Sequence, residues 1–162
     1  MTISFPTMPR CVFATLPALR RGAAAAGLLA AAASASAQMT PVGTWHMVDK
    51  KGAPTAEVTI TEPGGVISGR ITQLLGPDAK PTARCEACTD DRKDQPLVGL
   101  EILRGAKKLD GKEVWEGGTI LDPDSGRTYN LRLTPADGGR TLGVRGSIGP
   151  FGPTQTWVRA GT

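Results

Sequence analysis

From residue 38 onward apolar residues return at every second position, and no window of ten or more keeps a helical spacing free of glycine and proline. Such a chain is committed to strands, because only an extended backbone sends successive side chains to opposite faces. Val58 and Ile60 alternate with Thr59 and Thr61; Ile67, Gly69 and Ile71 alternate with Ser68, Arg70 and Thr72; Val98, Leu100 and Ile102 alternate with Gly99 and Glu101. Segments 114–121, 129–133, 142–148 and 154–159 repeat the pattern, and with 44–48 at the start the count is eight strands.

Turn chemistry falls between these segments. "EPGG" at 62–65, "KLDGK" at 108–112, "DPDSG" at 122–126, "ADGG" at 136–139 and "GPFGP" at 149–153 all carry the glycine, proline and aspartate that tight reversals require. Consecutive strands joined by short hairpins make a meander, and a twisted meander of eight closes on itself and removes its exposed edges. The expected fold is therefore all-β: a single-domain, eight-stranded, antiparallel up-and-down barrel, with a β-sandwich as the alternative. Glycines within strands, at Gly69, Gly99, Gly117, Gly118 and Gly146, suit sharp bending at barrel corners.

Residues 1–37 read as a cleavable leader rather than as part of the domain. Arg10, Arg20 and Arg21 precede a twelve-residue apolar run at 22–33, too short for the roughly 20 residues of a bilayer span, and Ala35-Ser36-Ala37 supplies a small-x-small cleavage site. The expected product is a β-barrel domain over 38–162, periplasmic or secreted, with no transmembrane segment. Three of the nineteen Lys and Arg precede residue 38, leaving sixteen against fifteen Asp and Glu. A nearly neutral domain lacks the clustered positive field that phosphate backbones demand, which argues against nucleic-acid binding. Cys11 also lies in the leader, so two cysteines remain for a compartment in which disulfides persist.

One connection breaks the hairpin rule. Residues 76–95 carry no alternation, two prolines and both Cys85 and Cys88. A loop this long inside a small domain is usually functional or disordered. A structural zinc site wants four Cys or His ligands, and His46 is the chain's sole histidine; a thioredoxin-like pair wants a helix start that the pattern does not offer; a haem attachment wants histidine after the second cysteine, where Thr89 stands. The reading that asks least is a Cys85–Cys88 disulfide stiffening the loop. Redox and metal-binding roles stay open as alternatives.

The order of motifs is also informative. "GTW" at 43–45, "CEAC" at 85–88, "PLVGLEIL" at 96–103, "WEGGTILDPDSGRTY" at 115–129, "LGVRGSIG" at 142–149 and "TQTWVR" at 154–159 closely resemble the secreted bacterial family catalogued as domain of unknown function 2147. The two ends are similar to the lipocalin and calycin plan, in which Gly-x-Trp on the first strand meets an arginine on the last. That resemblance implies that Gly43 and Trp45 face Arg159 where the barrel closes, the guanidinium lying over the indole. The chain departs from true lipocalins in having no room after Arg159 for their packed helix. The departure sets a deep cavity against a compact, filled or shallow interior.

Among candidate site residues, Trp115 and Tyr129 sit on neighbouring strands, where they either line an apolar pocket or simply pack the core. Arg70, Arg132 and Arg145 lie on the more polar strand faces; turned inward they would hold an anionic head group, turned outward they are solvated exterior. Asp90, Asp91 and Asp94 beside Cys88 suggest a hydrated acidic loop more than a cation site, and His46 should face water. No catalytic residue, metal site or cofactor is identified, since the chain has no nucleophile elbow, no His-Glu-x-x-His and no paired carboxylates with divided roles. The expected function is non-catalytic binding of an apolar or amphipathic small molecule in a lipocalin-like barrel. The alternative is a structural or protein-interaction module of the cell envelope with a filled interior.

Overall fold

The computed structural model describes residues 39–161, and the expected leader, its cleavage point and Cys11 lie outside them. Nine strands follow in chain order: β1 Gly43–Val48, β2 Pro54–Thr61, β3 Ser68–Leu74, β4 Glu101–Arg104, β5 Lys107–Lys108, β6 Trp115–Asp122, β7 Arg127–Ala136, β8 Thr141–Ser147 and β9 Thr154–Arg159. All pairings are antiparallel, in the order β4-β3-β2-β1-β9-β8-β7-β6-β5, and β4 also pairs with β6. That last pairing turns the sheet into a closed cylinder. β4 and β5 are two halves of one stave, both lying on β6, so nine strands make an eight-stranded barrel, and the sandwich alternative is excluded.

Alternation is what fills the interior. Trp45, Val58, Ile60, Ile71, Leu131, Leu133, Leu142, Val144 and Trp157 are all buried, while their strand neighbours Thr59, Arg70, Arg132 and Arg145 lie outside that core. One expected strand is displaced. Alternation over Val98, Leu100 and Ile102 predicts extension from residue 98, but the Leu100 N–H bonds back to the Leu97 carbonyl in a turn, and β4 begins only at Glu101. Ile102 and Leu103 are then both buried, which breaks the strict period.

The barrel has two unlike ends. Turns at 62–67, 109–114 and 137–140 meet the start of β1 and the finish of β9 at one end, where the three tryptophans collect. Each indole N–H is satisfied there: Trp45 donates to the Pro41 carbonyl at 2.7 Å, Trp115 to Glu62 Oε1 at 2.7 Å, and Trp157 to Gln155 Oε1 at 3.3 Å. At the other end are the turns 49–53, 122–126 and 148–153, together with the long connection from β3 to β4. Among the described residues no helix is long and apolar enough to cross a membrane.

Candidate functional site: the open end of the barrel

A cavity of about 1080 Å³ occupies the end opposite the tryptophans. Its wall is made by the last inward residues of the staves, among them Met47, Ala56, Ile71, Ile102, Ile120 and Val144. Tyr129 and Gln155 bring polar atoms to that apolar wall. Gln155 points inward because it pairs with the buried Val144 across β8 and β9, and its amide oxygen already accepts the Trp157 indole N–H. The Tyr129 hydroxyl has no hydrogen-bond partner among the described residues, so it is a donor available to a guest. Space beside it exists because residue 146 is glycine. A Cβ there would stand 3.2 Å from Ile120 Cγ2 and 3.4 Å from Tyr129 Cβ, so any larger side chain would grow into the cavity. The rim is polar, with Asp49, Asp78, Lys80, Asp122 and Asp124 around the opening.

The long connection is divided between an anchor and a cover. Leu75 to Lys80, Ala83 and Leu97 line the cavity. Residues 84–95 are fastened to the outer wall instead. Cys85 and Cys88 form a disulfide whose sulfurs are buried in the core, with Cys85 Sγ 3.6 Å from the Pro123 carbonyl oxygen. Gly126, at φ 68°, lets the β6–β7 turn come up against this loop, since a Cβ would overlap the Ala87 carbonyl. The buried Arg92 side chain pairs with Asp90 and donates to the Glu101 carbonyl at 3.2 Å and to Thr128 Oγ1 at 3.4 Å. Arg104 on β4 bridges Asp91 at 2.8 Å and Glu101 at 2.7 Å.

These contacts set the protonation of the anchor. Hydrogen bonds from the Arg92 side chain and backbone pull the Asp90 carboxyl down to about 2. Asp91 is lowered by its hydrogen bonds from Arg104. Burial pushes Glu101 up, but hydrogen bonds from Ser68 and Arg104 outweigh it and leave the carboxyl lowered. The acidic loop thus spends Asp90 and Asp91 on arginine. Among the described residues no group of three His, Cys, Asp or Glu is placed to hold a metal ion.

The expected site residues are scattered. Trp115 and Tyr129 separate: Tyr129 lines the cavity, whereas Trp115 is buried at the closed end, its indole also 5.1 Å from Lys108 Nζ. Arg70, Arg132 and Arg145 point outward. Arg70 donates to the Gly99 carbonyl at 3.0 Å, Arg132 pairs with Glu116 at 2.7 Å, and Arg145 donates to the Pro150 carbonyl at 2.7 Å. Arg132 and Arg145 border a shallow outer groove of about 520 Å³, while Arg70 lies on β3, across the barrel. His46 is partly exposed, 3.5 Å from Glu57. Gly43, Trp45 and Arg159 meet where β1 pairs with β9. The guanidinium lies 4.1 Å from the Trp45 ring centroid and donates to the carbonyls of Val42 at 3.1 Å, Thr40 at 3.0 Å and Gly139 at 2.5 Å. Burial lowers its pKa. Residue 43 must be glycine here, since its φ is 135° and a Cβ would overlap Arg159 Nη1.

Met47, Gly146 and Gln155 were not among the expected site residues. The signal that finds them is position: each is an inward residue near the turn end of its strand, beyond the last tightly packed layer.

A family model described as an uncharacterized protein conserved in bacteria, DUF2147, matches residues 43–159. No curated protein matches the chain at a significant level. Among solved structures, one described as protein HP1028 from the human pathogen Helicobacter pylori, belonging to the lipocalin family, is similar with a TM-score of 0.62. The two are 19% identical over 73% of this chain and 81% of that one, a likeness that shows a lipocalin-like fold.

Proposed function

We propose that this chain, which belongs to the DUF2147 family, is a non-catalytic binding protein that holds an amphipathic small molecule in the open half of its barrel. The observation that carries the reading is the cavity: about 1080 Å³ of mainly apolar lining closed below by packed tryptophans. Small-molecule sites of roughly 300–1,000 Å³ commonly have this make-up of apolar wall and few polar groups. An apolar tail would lie against Ile71, Ile120 and Val144, with the Tyr129 hydroxyl and Gln155 as polar contacts along its length. A charged or hydroxylated head would stay at the rim. The lipocalin-like fold supports the same use.

The site is periplasmic or secreted in this reading. Support comes from the basic-then-apolar character of residues 1–37 and from the buried disulfide, a bond that persists outside the reducing cytosol. The competing module with a filled interior has support only in the closed half.

The test is displacement of an environment-sensitive fluorophore from the purified protein by fatty acids and lysolipids, with native mass spectrometry of protein taken from the envelope. A saturable one-to-one displacement and a copurifying amphiphile are expected. A cavity that stays empty in both measurements would overturn the reading.

A further inference from the structure

The hairpin joining β8 to β9 ends in an exposed apolar tip. Ile148 is 66% and Phe151 81% exposed, and Phe151 is the only phenylalanine after residue 38. The tip is not a loose loop. The Ile148 N–H donates to the Phe151 carbonyl at 2.8 Å and the Phe151 N–H returns to the Ile148 carbonyl at 3.3 Å, while Arg145 holds the Pro150 carbonyl. A rigid turn that presents its two largest side chains to water gains nothing for the fold from either of them. Its place is the cavity rim, since Gly146, Pro153 and Gln155 of the same hairpin line the opening.

Its flank on one side is cationic. Strand β9 lies next to β1, which puts the β1–β2 turn beside the tip. Lys50 and Lys51 are exposed there and have no ion-pair partner among the described residues. The carboxylate of that turn, Asp49, accepts the backbone N–H groups of Lys51 and Ala53, each at 2.8 Å. On the opposite flank, Asp122 accepts the Asp124 N–H and the Ser125 hydroxyl of its own turn and Asp124 is exposed, so that side stays acidic and the cationic face is confined to the β1–β2 side.

We propose that hairpin 148–153 is a membrane-docking tip: Ile148 and Phe151 enter the headgroup region of a bilayer containing anionic lipid, with Lys50 and Lys51 beside them, and seat the cavity mouth on the membrane. Two protruding side chains cannot supply the roughly 800 Å² per partner of a specific protein interface. They suit shallow, reversible interfacial insertion, in which a small apolar area needs the second attraction of lysines to anionic lipid. As a route for an amphiphile between bilayer and cavity the proposal rests on the binding function above, but docking itself is measured without any guest.

The experiment is co-flotation of the purified protein with phosphatidylethanolamine–phosphatidylglycerol vesicles and, separately, with phosphatidylcholine vesicles. The wild type should float with the first and much less with the second. Ile148→Ser/Phe151→Ser should weaken flotation at least tenfold with an unchanged melting temperature, and Lys50→Ser/Lys51→Ser should remove the preference for anionic lipid. In Phe151→Trp, the new tryptophan should shift its emission to the blue when vesicles are added. Fluorophore displacement in vesicle-free solution should be untouched by the tip variants and lost in Gly146→Val, which should still float; the two functions are thereby read separately. Docking is overturned if the wild type and the double serine variant float alike, or if neither floats. It is equally overturned if the tip instead drives a concentration-dependent dimer, seen by sedimentation and abolished by the same variant.

Discussion

Gly146 does for the cavity what no side chain could: it leaves room next to Ile120 and Tyr129. Its backbone is not left-handed, so Gly146→Val should fold, at an overpacking cost of roughly 1–3 kcal/mol, and should lose fluorophore displacement by about tenfold or more, a change of ~1.4 kcal/mol in binding. Retained affinity would place the guest elsewhere. Arg159 behaves differently, because three backbone carbonyls and an indole face converge on one planar cation. Arg159→Lys keeps the charge but puts its donors on one nitrogen, which cannot span carbonyls now reached from Nε, Nη1 and Nη2, and with charge-assisted hydrogen bonds at about 1.5–3 kcal/mol each the loss should be ~3 kcal/mol. A lowered urea midpoint with unchanged slope would show it. At this scale the sequence was readable where a residue type has one use, as with the Gly-x-Trp and arginine ends. It was ambiguous where one type serves two environments: Trp115 and Tyr129 alternate alike, and only strand register puts one on the floor and the other in the opening.

The connection between β3 and β4 works as an element with two parts, a fixed anchor over 84–95 and a cover over 75–83. Asp90 is held at about 2 against an ordinary value of 3.8, by hydrogen bonds from Arg92. A folded-state carboxyl below its unfolded value contributes stability that is fully present above the unfolded value and is lost as pH falls through the folded one. The anchor should therefore loosen between about pH 4 and pH 2. Since the Asp90 side chain is 43% exposed, solvent screens the pair and the effect should be local. Pepsin cutting within 84–95, before the barrel loses its near-ultraviolet dichroism, is the expected sign. Cys85→Ser/Cys88→Ser should act in the same place. A ring closed across three positions constrains the unfolded chain less than the ~3 kcal/mol of a fifteen-residue loop, so the melting temperature should move little while protease sensitivity of the loop rises. The paired cysteines and missing alternation marked this segment as special. Arg92 as its buried peg carried no such mark, because a lone arginine among charged residues looks solvated until Asp90, Glu101 and Thr128 close around it.

At the scale of the whole molecule, the barrel is packed in one half and hollow in the other. All three tryptophans belong to the packed half, and none lines the cavity, so an amphiphile without chromophore should raise the melting temperature yet leave tryptophan emission nearly unchanged. At a hundredfold excess over Kd the stabilisation should be ~2.7 kcal/mol, read by thermal unfolding followed at a wavelength reporting backbone structure. Strand number, order and closure were legible because period-two alternation and tight turns leave a meander few ways to avoid open edges. The depth of the hollow was not, since it depends on which inward residues are small at one end, a sum over eight staves that no single segment displays.

The pairing of β1 with β9, held by Arg159 reaching back to Thr40 and Val42, has a consequence for biogenesis. Every other neighbour along the cylinder from β1 to β3 and from β6 to β9 comes straight from the ribosome beside its mate, but this one must wait until the final stave has been synthesised. Until then the polypeptide remains an incomplete, unwelded ribbon whose bare edges on β1 and β8 could still recruit a strand from another chain.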